Sequence, residues 1–237
     1  MPIDSTTFER VRRSVLKEVA SGFDADGGTH RRQVAEGQLH CFEFGVHKRG
    51  GAFCVDMGFH FASVPSFESF SASAKLKHPQ PDSCWLHRRW RSEENRQFVD
   101  YGETLEDAER NLRKIVSDTL RFLDEVERLV GDGSKLLDLL PPERLRGDAE
   151  IFQKFMACPD LEQRDRISDS MTIRKLFPGW LPHVSPTCIL LAYLSRKFGR
   201  HSLVAEYLAV TQLPGQGHIM LPKTRGLIEP LMKVRDE

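Results

Sequence analysis

Glu43 and Asp56 are the residues of this sequence best placed to do chemistry together. Each lies in a run rich in Phe and Val, Gln38–Val46 and Ala52–Phe61, on either side of Lys48-Arg49-Gly50-Gly51. Two such runs around a glycine-containing connection predict an antiparallel hairpin. A turn centred on Arg49-Gly50 pairs Val46 with Phe53, Phe44 with Val55 and Phe42 with Met57, and side-chain alternation puts all six on one face. The opposite face then carries Cys41 across from Gly58, Glu43 across from Asp56, Gly45 across from Cys54 and Leu39 across from His60. Two carboxylates directly opposite one another repel, so solvent, an arginine or a bound cation must offset them. With His60 on the same face, Glu43, Asp56 and His60 could ligate a divalent metal or act as acid and base toward a substrate. The competing expectation is a polar face neutralised by Arg31, Arg88 or Arg89. No third carboxylate and no metal-binding histidine spacing accompanies the pair, so the polar face is preferred and no metal or other cofactor is expected.

Cys84-Trp85-Leu86-His87-Arg88-Arg89-Trp90-Arg91 is a dense mixture of aromatic and basic residues. Arginine pairs with phosphate while tryptophan stacks on bases, which invites a nucleic-acid reading. On a strand, however, Trp85, His87, Arg89 and Arg91 share one face and Leu86, Arg88 and Trp90 the other, and arginine stacks on tryptophan without any ligand. An internal structural role or contact with an acidic protein is preferred to nucleic acid. Trp85, Arg88, Arg89 and Trp90 are the candidate binding residues. Cys84 near His87 could be a thiol with its base, but three residues is poor separation for such a pair and no oxyanion-binding group is visible. The glycine pairs Gly27-Gly28 and Gly50-Gly51, and Gly215-Gln216-Gly217-His218, match neither a P-loop nor a dinucleotide fingerprint and read as turns. Arg196-Lys197-Phe198-Gly199-Arg200-His201 suits a helix C-terminus without a partner.

The elements that must hold these residues follow from periodicity. Ser5 and Thr6 offer caps for a first helix in which Phe8, Val11, Val15 and Val19 recur at helical spacing until Ser21-Gly22, with Arg10, Arg12, Arg13 and Lys17 outside. A short strand is predicted over 30–34, with Glu36-Gly37 as the turn after it. Residues 62–83, rich in Ser and Pro, predict a long surface excursion, and 97–101 a further strand. Thr104 opens a long helix whose stripe runs Leu105, Ala108, Leu112, Ile115, Val116, Thr119, Leu120, Leu123, Val126 and Val130, stopped by Gly131. Short helical pieces follow at 134–140, 149–157, 186–198, 203–210 and 224–234, the last broken by Pro230. The apolar run 188–194 fits a buried helix. These patterns predict an α+β fold, with an antiparallel sheet packed by an N-terminal helix and the long helix. The expected division is an α+β region over 1–131 and a mainly helical region over 134–237, either a separate domain or a cover.

Composition narrows the class. The chain has 237 residues, 34 Lys+Arg against 34 Asp+Glu, and a formal net charge of zero, which removes the simplest argument for a nucleic-acid or anionic-membrane partner. No apolar run is long enough for a membrane span, and the first residues lack a signal-peptide core, so a cytoplasmic location is expected. The 5 cysteines have no CxxC spacing and are read as reduced thiols.

The order of opening helix, hairpin, Cys-Arg segment and long helix resembles a bacterial family, domain of unknown function 4304, over roughly residues 5–130. The resemblance is carried by Val55-Asp56-Met57-Gly58 and by Cys84 followed by Arg88 or Arg89. It implies an α+β domain of bacterial origin and brings no catalytic residues with it. Together these readings lead to the expectation of a non-enzymatic module that binds another protein, such as a toxin-neutralising or defence component. The alternative is a divalent-metal-dependent hydrolase or nuclease-like enzyme using Glu43, Asp56 and His60. The oligomeric state is not set by the sequence.

Overall fold

A computed structural model describes residues 3–26, 28–34, 37–47, 50–65, 80–92, 94, 96–180, 184–213 and 225–232. Helix α1 (Ser5–Val19) starts behind Asp4, whose side chain accepts the Thr7 N–H at 2.7 Å. The first cap is therefore Asp4, not Ser5 or Thr6, because its carboxylate reaches the orphan donors of the first turn. Among the described residues six strands follow: β1 (Asp24–Asp26), β2 (Thr29–Gln33), β3 (Gln38–Val46), β4 (Ala52–Phe61), β5 (Leu86–Arg89) and β6 (Val99–Asp100). They form one antiparallel sheet in the order β1-β2-β3-β4-β5, with β6 also on β4. The β3–β4 register pairs Val46 with Phe53, Phe44 with Val55, Phe42 with Met57 and Glu43 with Asp56, as alternation around the turn required. Val46 departs from expectation in being 48 % exposed, since it is the last residue of β3, beside the turn of the hairpin. Glu36, Arg49, Gly27 and the segment 66–79 lie outside the described residues.

Helix α2 (Leu105–Val130) lies across this sheet. Thr104 and Asp107 form a reciprocal capping box, and Gly131 terminates the helix. Its buried residues, Ala108, Leu112, Ile115, Val116, Thr119, Leu123, Val126 and Val130, are the expected stripe; Leu105, at the first turn, is 50 % exposed. Against the stripe and α1 pack Phe42, Phe53, Val55, Met57, Phe59 and Phe61, with Phe8 stacked on Tyr101 at 3.9 Å. Burying several such side chains, each stabilising by about 1.5–3 kcal/mol, makes this face the main determinant of the fold.

The described residues after Gly131 hold the helices α3 (Ser134–Leu139), α4 (Pro142–Ala157), α5 (Leu161–Asp169), α6 (Thr172–Leu176), α7 (Val184–Lys197), α8 (His201–Thr211) and α9 (Arg225–Met232). Helix α7 is the buried helix of the 188–194 run, with Cys188, Ile189, Leu190, Leu191, Ala192 and Leu194 inaccessible. Buried Asp148 in α4 accepts the N–H groups of Thr172 and Ile173 at 2.7 and 2.9 Å, so a carboxylate from one helix caps the next. The helical region shares the core of the sheet. Trp85 stands 5.4 Å from Phe177 and donates to Thr187 Oγ1 at 3.2 Å, and Tyr207 donates to Leu140 O at 3.0 Å. A Cβ at Gly133 would meet Leu194 and Phe61 at 3.1 Å, so the link from α2 to α3 threads between sheet and α7 where only glycine fits well. Among the described residues, no helix is long and apolar enough to cross a membrane.

Candidate interaction face

Strand alternation divides the sheet into two unlike surfaces. One is the aromatic face under α1 and α2. The other carries Thr29 and Arg31 on β2, Cys41 and Glu43 on β3, Cys54, Asp56, Gly58 and His60 on β4, and His87 and Arg89 on β5. On this second face a short 3-10 turn, Pro81–Ser83, and Cys84 lie directly on Gly58. A Cβ there would come within 2.6 Å of Cys84 Sγ and 2.9 Å of Pro81 Cα. Cys41 and Cys84 bring their sulfurs to 3.3 Å over this gap, both are free thiols, and burial first, then Cys41, pushes the Cys84 thiol up.

Next to it, two residues along β4, lies a half-buried ion network. Asp56 accepts from Arg89 through both oxygens, Nε to Oδ1 at 2.8 Å and a terminal nitrogen to Oδ2 at 2.7 Å, and His87 Nε2 lies 3.4 Å from Oδ1. The fork geometry of a guanidinium suits this bidentate contact. Burial alone would raise the Asp56 carboxyl, but hydrogen bonds from His87 and Arg89, with their charge, outweigh it and hold it at about 2. Glu43, directly opposite, accepts from Thr29 Oγ1 at 3.1 Å. The repulsion anticipated between Glu43 and Asp56 is thus met by Arg89 on the neighbouring strand.

His60 is placed apart from these carboxylates. It is four residues beyond Asp56 on β4, about 13 Å away at ~3.3 Å per residue. It is 1 % exposed, and Nε2 lies 3.0 Å from Val64 O. Burial lowers its pKa to about 4 against the raising effect of the Val64 bond. The structure therefore does not bring Glu43, Asp56 and His60 to a common point.

The four candidate binding residues also separate. Arg89 stays on the open face. Trp85 and Trp90 lie in the core, only 3 % and 5 % exposed, which corrects their expected place at a binding surface. Strand β5 begins at Leu86, so Trp85 escapes the alternation and turns onto Phe61 and Phe177; Trp90 donates toward Asp118 Oδ2 at 3.4 Å. Arg88 points to the aromatic side, over the Phe122 ring at 3.9 Å and toward Pro178 O at 3.4 Å, joining β5 to α2 and the segment after α6. Cys84 and His87 face different partners and form no thiol–base pair. Thr29 was missed by sequence reasoning because it precedes the predicted strand by one residue. The Gly215–His218 motif lies outside the described residues.

The pH response follows from these burials. Asp56 titrates below its ordinary 3.8 in the fold, so its contribution is present above that value and lost as pH falls toward 2. His60 titrates below its ordinary 6.5, so the unfolded chain takes up its proton first, and stability declines as pH falls from 6.5 to about 4. Denaturant midpoints measured across both windows are expected to show both declines. His60→Gln is expected to lessen the decline in the upper window, which His30 and His40 share, and Asp56→Asn that in the lower, which Asp107 and Asp132 share; an unchanged profile in either variant would contradict the assignment.

Compared with family models, with curated proteins and with solved structures, the chain matches none.

Proposed function

We propose that this chain is a non-catalytic module that docks another protein on the polar face of its sheet. The observation behind it is one-sidedness: α1 and α2 pack on the aromatic face, while Glu43, Asp56, His87 and Arg89, beside the Pro81–Ser83 turn, stay part-exposed on the other. Their charges are already paired, so a partner can cover them without stranding an ion in a low-dielectric interface. The metal-dependent hydrolase alternative has less support. Both Asp56 oxygens are held by Arg89, so a cation there would have to displace a bidentate guanidinium. Kinship of residues 5–130 with domain of unknown function 4304 belongs to the same proposal. The residues behind that resemblance meet in space, Asp56 with Arg89 and Gly58 with Cys84.

The test is partner capture from the native cell with the full chain, an Arg89→Glu/Glu43→Lys variant and an Glu150→Lys control on the exposed side of α4. A specific partner held by the native chain and the control, and lost from the sheet-face variant, supports the proposal. A partner lost only from the α4 control, or no specific partner at all, overturns it.

A further inference from the structure

A second polar constellation lies on the opposite side of the sheet, where β3 meets α2. His40 on β3 is 0 % exposed, and its Nε2 is buried without a hydrogen-bond partner. Glu127 Oε2 stands 3.7 Å away, too far for a hydrogen bond. Asp124 and Glu127, three apart on α2, share a helix face. One ligand atom from each of His40, Asp124 and Glu127 lies within 4.8 Å of the others. The two carboxylates are part-exposed, so the group opens to solvent at its acidic end while the imidazole forms its floor.

Arg32 currently occupies the position of a counter-cation. It donates to Asp124 Oδ1 at 2.7 Å and lies 3.1 Å from His40 Nδ1. A guanidinium only donates, so Nδ1 accepts and the ring proton sits on Nε2, facing Glu127 without reaching it. Arg32 Nε is buried without a partner as well. Orphaned buried nitrogens on both members of one contact are unfavourable, and an arginine leaves them so.

We propose that His40, Asp124 and Glu127 bind a first-row divalent transition ion of the zinc class, with Arg32 as its built-in competitor. Bond lengths of about 2.0–2.2 Å to imidazole nitrogen and carboxylate oxygen span the 3.7 Å gap between His40 Nε2 and Glu127 Oε2. Binding moves the ring proton from Nε2 to Nδ1, and Arg32 turns away from it. Arg32 lies against the Phe23 ring at 4.9 Å with its side chain 28 % exposed, so an outward rotation is open to it. The ion replaces one positive charge beside two carboxylates with two, and solvent completes its coordination. One imidazole with two carboxylates suits zinc, manganese or cobalt better than calcium.

The experiment is calorimetric titration of the full chain with ZnCl₂ and with MnCl₂ in a non-chelating buffer, paired with thermal melts. One ion per chain and a raised melting midpoint are expected. Asp124→Asn and Glu127→Gln, at part-exposed positions, are expected to weaken binding at least about tenfold while leaving the metal-free melt near native. Arg32→Gln is expected to tighten binding by about tenfold, since it removes the competing cation. That gain separates a metal site from a merely structural cluster, where losing Arg32 could only cost stability. Absence of binding at millimolar ion, binding unaffected by Asp124→Asn and Glu127→Gln, or weaker binding in Arg32→Gln would each overturn the proposal.

Discussion

Replacing Trp85 with Ala is expected to destabilise the protein by about 3–5 kcal/mol, the range for emptying a buried indole site. The residue is 3 % exposed and bridges Phe61 of β4 to Phe177 after α6. Its indole N–H also serves Thr187 on α7, itself fully buried, so the truncation strands a hydroxyl as well as opening a cavity. Trp85→Phe retains most of the packing and loses the hydrogen bond, and should cost clearly less. Equilibrium urea unfolding of the two variants is the measurement. A loss under about 1 kcal/mol for the alanine variant would mean that the sheet and α7 are not coupled through this side chain.

Gly58→Val is expected to cost about 3 kcal/mol, at the upper end for overpacking. The obstacle is partly backbone. A Cβ would sit 2.9 Å from Pro81 Cα as well as 2.6 Å from Cys84 Sγ, so trimming Cys84 does not make room. Gly58 is central in β4 and paired to Cys41 on one side and His87 on the other, so neither neighbouring strand can yield without losing register. Gly58→Val/Cys84→Ala should therefore recover little of the loss by thermal melting. Full rescue would show that the sulfur, and not the turn, sets the limit.

These two residues also show where sequence reasoning reaches and where it stops. The β3–β4 register was legible because a glycine-bearing turn and strict alternation of Phe42, Phe44, Phe53, Val55 and Met57 admit one pairing with a continuous apolar face. The stripe of α2 was legible for the same reason, as was Arg89 as one of three possible neutralisers of Asp56. Strand β1, Asp24-Ala25-Asp26, offered no large apolar residue to reveal it and is held by pairing with β2 alone. Helix α5 has only Leu161 and Ile167 as apolar residues, six apart, and α6 is only five residues long, so neither has a periodic signal to read. Helix α4 starts at Pro142, ahead of the expected 149, because proline is tolerated in a helix's first turn. Trp85 faced the core because β5 starts one residue after it, a boundary that alternation cannot supply. The meeting of His40 with Asp124 and Glu127 depends on how α2 crosses β3, and no local pattern encodes that.

The shared core carries a consequence for how the chain comes into being. During synthesis the sheet, α1 and α2 are complete once Gly131 has emerged, yet Phe61 and Trp85 still lack Phe177, Thr187 and Leu194. A nascent chain at that length carries a finished register beside an unfinished apolar cover, an adhesive intermediate of the kind chaperones hold. Folding is therefore sealed late, by α7, and a chain released early would be prone to stick to its neighbours.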